Sequence, residues 1–443
     1  MIGKREPVRI LLVSSRLDPA GTSIHREIMR LLREEERSLP GDRRYDLMRV
    51  QGRLIEQDHL DESLSFDLIV FLSRHSSKNP VPVLTVHPTG NFFDADLGGR
   101  PRSLAPAEPA WMYTVLRNLA RLAPAGYRVS YEATHHGPTE LRTPSFFVEI
   151  GSTDHEWRDP IAAAAVARSV MEAGPGNIIP LIGLGGTHYT TRQTEIALTT
   201  PGAFGHIAPT GIAGRLTFAD IRSMSDKSSA IGAYIDRKSL SSDDLSRIEQ
   251  MVGTTGLVLL QTSDLIALNE IPWKVFKEIR EISISAGEGV RSHFHALAGS
   301  GLPVPIKLDE ELLAVALAAD EGMFVRGLSS LPVVHLSGPR KSVLPVFITY
   351  QGEESRVLDD LITLCVTIIT IKEETAIDGD HLVIRKTRFD PGKARQLGIP
   401  KGPLFGRLMK GEPVPVGDRV ITPDLVQSTT ERRIHIPGLE KFT

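Results

Sequence analysis

The chain has 443 residues, 41% of them hydrophobic and 24% charged, and a formal net charge of -3 at pH 7. That length exceeds what one hydrophobic core supports, so two or three domains are expected. The balanced charge excludes a polycation that grips nucleic acid over its whole surface, and the single cysteine, Cys365, excludes an internal disulfide or a Cys-rich zinc finger.

In chain order, the basic N-terminus reaches only the short apolar run Ile10 to Val13 before Ser14 and Ser15, too little for a signal peptide. No run of about 18 apolar residues follows, so no membrane span is expected. A cytoplasmic protein with no evident obligate protein partner is the expectation. Residues 8–13 read as a strand, and 23–37 carry Ile24, Ile28, Leu31 and Leu32 at helical spacing. Apolar strands are predicted at 66–72 and 81–86, and a helix over 109–122 with Trp111, Val115, Leu116 and Leu119 inward. Strands at 127–133 and 146–150, an Ala-rich helix at 161–173, and strands at 178–184 and 257–260 complete the pattern. The alternation predicts an α/β fold whose mainly parallel sheet is flanked by helices. The run Ala298-Gly299-Ser300-Gly301-Leu302-Pro303-Val304-Pro305 fits a linker, dividing the chain into 1–299 and 300–443. Gly98-Gly99-Arg100-Pro101 would allow an internal split near residue 100.

Polar residues gather where strands end. His75, His87, His135, His136 and His188 each follow or close a predicted strand, and Glu149 ends the run Phe146-Phe147-Val148-Glu149-Ile150. In open parallel sheets, ligands bind beyond the carboxyl ends of strands. A carboxylate in an apolar strand costs several kcal/mol unless it is paired, protonated or metal-bound. In Thr134-His135-His136-Gly137-Pro138-Thr139, a Gly-Pro closes the turn that carries both histidines. Gly183-Leu184-Gly185-Gly186 has neither the P-loop lysine nor G-x-G-x-x-G spacing, and reads as a tight turn exposing His188. His206 falls on a loop. Catalytic zinc takes three protein ligands and keeps a fourth position open; without an H-E-x-x-H motif they must come from separate strands. The competing reading makes the histidines structural and Glu149 a paired core carboxylate.

The net charge hides an asymmetry. Arg385, Lys386, Arg388, Lys393, Arg395, Lys401, Arg407 and Lys410 lie in one segment against a single acid, Asp390. Such a stripe can neutralise phosphates, or it can be a solvated face with no partner.

Up to about residue 295, or about two-thirds of the chain, the sequence resembles the archaeal and plant type of D-aminoacyl-tRNA deacylase. The likeness rests on Ser73-Arg74-His75-Ser76-Ser77, Leu84-Thr85-Val86-His87-Pro88-Thr89-Gly90-Asn91 and the His135-His136 turn. It continues through Pro144 to Thr153, Gly185-Gly186-Thr187-His188-Tyr189 and Gly205-His206-Ile207. The resemblance implies hydrolysis of the ester between a D-amino acid and the tRNA 3′ end. It also implies zinc as cofactor, a core similar to zinc-exopeptidase or phosphorylase-like folds, and a role in translation quality control. On that chemistry His136, Glu149 and His188 are assigned to the metal or its immediate shell, and His135 to general acid/base or oxyanion work. His87 and His206 are reserves for a second ion.

The tail at 300–443 lies outside that likeness. Residues 397–408 and 410–414 resemble the C-terminal segment of ribonuclease Z-type hydrolases, but the tail lacks their H-x-H-x-D-H zinc motif. It is expected to position tRNA or to be a β-rich structural extension. A zinc exopeptidase of small peptides and a non-catalytic RNA-binding module are the alternatives to the deacylase.

Overall fold

A computed structural model describes residues 6–34, 40–77 and 80–442. The chain divides into two compact units, Met1–Asn269 and Glu270–Thr443. The division precedes the linker-like run at 298–305, which leads into a strand of the second unit, Pro303–Lys307.

The first unit has eight strands up to the candidate site: β1 (Val8–Ser15), β2 (Arg43–Val50), β3 (Leu68–Arg74), β4 (Val83–His87), β5 (Gly90–Asn91), β6 (Ser103–Leu104), β7 (Arg128–Tyr131) and β8 (Ser145–Gly151). Six form one sheet in the order β2-β1-β3-β8-β4-β7, and β5 pairs with β6. Gly98 and Gly99 lie in the connection between β5 and β6. β1, β2, β3 and β8 are mutually parallel, as the apolar runs of β1 and β3 predict; β2, interrupted by Arg43, Arg44, Asp46 and Arg49, was not expected. Leu11, Val13, Ile69, Phe71 and Phe147 form one apolar face, packed with Leu54 and Leu141. Helix α1 (Pro19–Glu34) buries Ile24, Ile28 and Leu31 and lies along β1 and β3. The helix expected at 23–37 therefore starts earlier, and residues 35–37 are outside the described residues. Helix α2 (Pro109–Leu122) has the predicted bounds and inward residues.

One departure matters for function. β4 pairs antiparallel with β8, and β7 follows β4, so these two strands run against the rest. The histidines therefore do not line one carboxyl edge. In the β4–β8 register Thr85 stands opposite Glu149 and His87 opposite Phe147, so alternation puts them all on one sheet face.

A second sheet, wholly parallel, has the order β10-β9-β11-β12, from β9 (Ile179–Leu184), β10 (Gly202–Ala208), β11 (Gly232–Ile235) and β12 (Val258–Leu260). β10 carries His206, which was expected on a loop; the small residues Gly202, Ala203, Gly205 and Ala208 hide the strand signal. After β9, Gly185 and Gly186 adopt φ of 88° and 94°, a turn that L side chains resist.

The second unit contains a four-stranded antiparallel sheet and a three-stranded one of Glu374–Asp378, His381–Phe389 and Gln427–His435. Helices Glu310–Leu328 and Glu354–Lys372 pack together, and Phe324, Phe347, Leu361 and Ile368 lie in its core. Among the described residues no helix is long and apolar enough to cross a membrane.

Candidate active site

The apolar sheet face runs directly into a cluster of imidazoles and carboxylates. The Phe147 ring stacks on Phe71 with centroids 4.7 Å apart and on His87 at 5.4 Å. Ser73, opposite Glu149 in the β3–β8 register, donates its hydroxyl to Glu149 Oε1 at 2.6 Å. Beyond β7 the chain turns between the two sheets. Ala133 N–H donates to the His188 carbonyl at 2.8 Å and Thr134 N–H to that of Ile207 at 2.9 Å. His136 has φ of 52°, an uncommon backbone state for a histidine, and its carbonyl accepts from Gly90 N–H at 2.8 Å.

Three histidines are oriented in the same way. Nδ1 of His87 meets the Pro88 carbonyl at 3.1 Å, that of His135 the Ala133 carbonyl at 2.8 Å, and that of His136 the Gly137 carbonyl at 2.7 Å. A carbonyl only accepts, so each Nδ1 carries a proton, and in the neutral ring each Nε2 presents a lone pair. This backbone bracing is the usual support of a metal-ligating imidazole. Burial, reinforced by the neighbouring imidazoles, pushes the His136 pKa down to about 4 and that of His135 well below its ordinary value. Both are held neutral, the form in which nitrogen binds a metal.

A second carboxylate, Glu132, completes the cluster and was not anticipated. It is wholly buried. Its Oε1 lies 2.9 Å from His75 Nδ1, and its Oε2 lies 3.1 Å from His188 Nε2 and 3.6 Å from His135 Nε2. Glu149 Oε2 lies 3.5 Å from His75 Nδ1 and 3.8 Å from His87 Nε2. Two buried carboxylates demand positive charge beside them. Against the opposing effect of burial, they hold the His75 pKa up at about 11 and raise that of His87. Burial would also raise both carboxyl groups, but His188 and His75 hold Glu132, and His75 and His87 hold Glu149, well below the usual carboxylate range. A proton or a metal ion can meet that demand. The metal fits better at three atoms: His87 Nε2 and both oxygens of Glu132 are buried at ion-pair distances without an aligned hydrogen-bond partner.

Among the described residues three groups bring their ligand atoms within 4.8 Å of one another: His87, His135 and His136; His75, Glu132 and His188; and His87, Glu132 and Glu149. All the expected site residues of the first unit converge here except His206. Its Nε2 donates to the Ala105 carbonyl at 2.9 Å, and its Nδ1 faces the Thr134 hydroxyl at 3.1 Å. With both nitrogens engaged, His206 pins the turn and offers no ligand. Glu132 could have been found from sequence by the reasoning applied to Glu149, since it ends a predicted strand and precedes the His-His pair by three residues.

The basic stripe of the second unit is partly neutralised by acidic residues of the same unit. Arg385 pairs with Glu431 at 2.8 Å, Lys386 with Glu373, and Arg407 with Glu412 at 2.8 Å. Lys393 Nζ donates to the Gln427 carbonyl and Arg395 Nε to that of Pro391, bonds to neutral groups in place of an ion pair. Arg388, Lys401 and Lys410 have no ion pair among the described residues.

Comparison with known proteins gives concordant results. The family model described as D-aminoacyl-tRNA deacylase matches residues 62–260. A protein of Methanoculleus marisnigri named D-aminoacyl-tRNA deacylase is 49% identical over 436 residues, 98% of this chain and 100% of its own. The likeness thus runs through the tail that had been read as foreign to such enzymes. A relative of the same name from Methanothrix thermoacetophila is 38% identical over 58% of this chain and 99% of its own length. The crystal structure of a conserved protein of unknown function superimposes with a TM-score of 0.54 at 33% identity, covering 59% of this chain and 98% of that one.

Proposed function

The chain belongs to the D-aminoacyl-tRNA deacylase family, and we propose that its His–Glu cluster is the centre at which the ester between a D-amino acid and the tRNA 3′ end is hydrolysed, with zinc bound there. Deacylation of D-aminoacyl-tRNA is its activity. The observation that carries the site assignment is the shared bracing of His87, His135 and His136, each with Nδ1 on a backbone carbonyl and with ligand atoms within 4.8 Å of one another. Those three would hold one ion, and His75, Glu132 and His188 a second. His135 thereby joins the ligands instead of acting as the acid/base. Bound zinc supplies Lewis-acid polarisation of a carbonyl and lowers the pKa of water towards about 7. Glu149 stays anionic between the two groups, where its Oε2 can orient a water and accept its proton, while Ser73 fixes Oε1. A zinc-exopeptidase-like core is consistent with the mixed central sheet.

An adjoining cavity of about 440 Å³ admits the substrate; His135, His136, Glu149 and His188 line it. Arg388, Lys393, Arg395, Lys401 and Lys410 are the cations left to meet tRNA phosphates.

Incubating the protein with matched D- and L-aminoacyl-tRNA, with and without a chelator, tests the reading. Release of the D-amino acid alone, abolished by chelation and restored by zinc, is expected. A rate indifferent to chelation would remove the metal, and equal rates on both enantiomers would remove the stereochemical assignment.

A further inference from the structure

The cavity beside the cluster has a second charged pole that the metal groups do not explain. Asp18 lies between β1 and α1 and lines this cavity together with Glu149 and His188. Its side chain is held rigidly: Oδ1 accepts from Gly21 N–H at 2.8 Å and Oδ2 from Arg74 N–H at 2.9 Å. Only 9% of the residue is exposed. Among the described residues no Lys, Arg or His nitrogen pairs with it, and the guanidinium of Arg74 is instead over the Trp157 ring at 5.0 Å. Burial and the nearby charge of Glu149 raise its pKa, although the two backbone N–H groups and the charge of Arg74 oppose this. A buried carboxylate that no cation pairs directly is costly unless a ligand brings one. Each oxygen still has a lone pair to offer. Part of the wall is apolar, formed by Leu17, Leu54, Ile55, Leu97 and Phe147, beside the polar Ser15, Arg53, Ser73, Arg74 and Ser76.

An aminoacyl ester presents a carbonyl, an α-ammonium and a side chain around one carbon. We propose that Asp18 binds the α-ammonium of the D-aminoacyl ester while the apolar wall takes its side chain, so that this pair of contacts selects the D-enantiomer. The inference rests on the His–Glu cluster being the hydrolytic centre, which fixes where the carbonyl lies. In the L-enantiomer, held by the same carbonyl, ammonium and side chain exchange places. The ammonium then meets Leu54 and Leu97, and the side chain meets the buried carboxylate. Both exchanges are unfavourable, so the selection comes from shape and charge together.

The test compares D-aminoacyl-tRNA with the matched D-α-hydroxyacyl-tRNA, in which a hydroxyl replaces the ammonium and all else is kept. The wild type should prefer the ammonium ester by about tenfold to a hundredfold in kcat/KM, chiefly through KM, the worth of one charge-assisted hydrogen bond. Asp18→Asn should hydrolyse both esters alike and discriminate less between D and L, whereas Asp18→Glu, which keeps the charge, should retain a preference. If Asp18→Asn does not fold, Asp18→Ser, which can still accept from Gly21 N–H, takes its place. A wild type indifferent to the exchange, or a folded uncharged variant that keeps the preference, would overturn the proposal. Failure of the underlying site reading looks different: His136→Ala would then leave hydrolysis of both esters intact.

Discussion

Glu132 is the residue on which the cluster's charge balance turns. Its two oxygens face His75, His135 and His188, and no aligned hydrogen bond holds either of them. Glu132→Gln keeps the shape and removes the charge. We expect a loss of at least about a hundredfold in deacylation and a lower zinc content by elemental analysis. Unchanged zinc and rate would return Glu132 to a purely structural role. His206 gives the contrasting case. Burial depresses its pKa to about 4, whereas an unfolded histidine titrates near 6.5. Below pH 6.5 the unfolded chain binds a proton that the native state refuses, so stability is lost as pH falls towards 4, by about 3 kcal/mol when fully expressed. His206→Gln, which cannot titrate, should flatten that acid limb in denaturant titrations between pH 7 and pH 4 and leave zinc content unchanged. An unaltered slope would place the acid sensitivity elsewhere.

At the scale of elements, the His135-His136 turn is held in place by a loop far away in sequence. Asp58 Oδ1 accepts from the N–H groups of Thr139 and Glu140 at 2.7 and 2.9 Å, and Asp61 Oδ2 from Arg142 and Thr143 at 2.9 and 2.6 Å. These four bonds fix the chain between the histidine turn and β8, which brings Glu149. Asp58→Ala leaves two N–H groups without their acceptor, which should cost about 1–3 kcal/mol. The expected outcome is a lower denaturation midpoint together with a roughly tenfold drop in kcat/KM, because the turn shifts relative to β8. Full activity in a destabilised variant would show that the turn holds its shape without this anchor. The antiparallel insertion of β4 between β8 and β7 is equally consequential: it alone puts His87 on the same face as Glu149.

For the whole molecule, the first unit has its own apolar cores, and every candidate ligand lies within it. A fragment of residues 1–269 should therefore fold and hydrolyse a short D-aminoacyl-nucleotide at a rate close to that of the full chain. Its affinity for D-aminoacyl-tRNA should be weaker and less sensitive to salt. If all five cations of the stripe without an ion pair touch duplex phosphates, the slope of log K against log salt falls by about 4.5. An unchanged slope makes the stripe a solvated face, and loss of activity on the short substrate would mean that the second unit completes the site.

Much of this was legible in the sequence. Unbroken apolar runs in β3, β4 and β8 and the period of α2 specify elements because burial follows local periodicity. His87, His135, His136, Glu149 and His188 stood out because polar groups beside such runs need a reason to be there. What the sequence could not decide is pairing. The reversed direction of β4, the pairing of Glu431 with Arg385 in the basic stripe, and the two carbonyl and hydroxyl contacts that occupy His206 all join residues with no local relation. Local sequence sets which residues are buried; only the tertiary fold sets which atoms meet, and a histidine becomes a ligand or a pin according to what its second nitrogen touches.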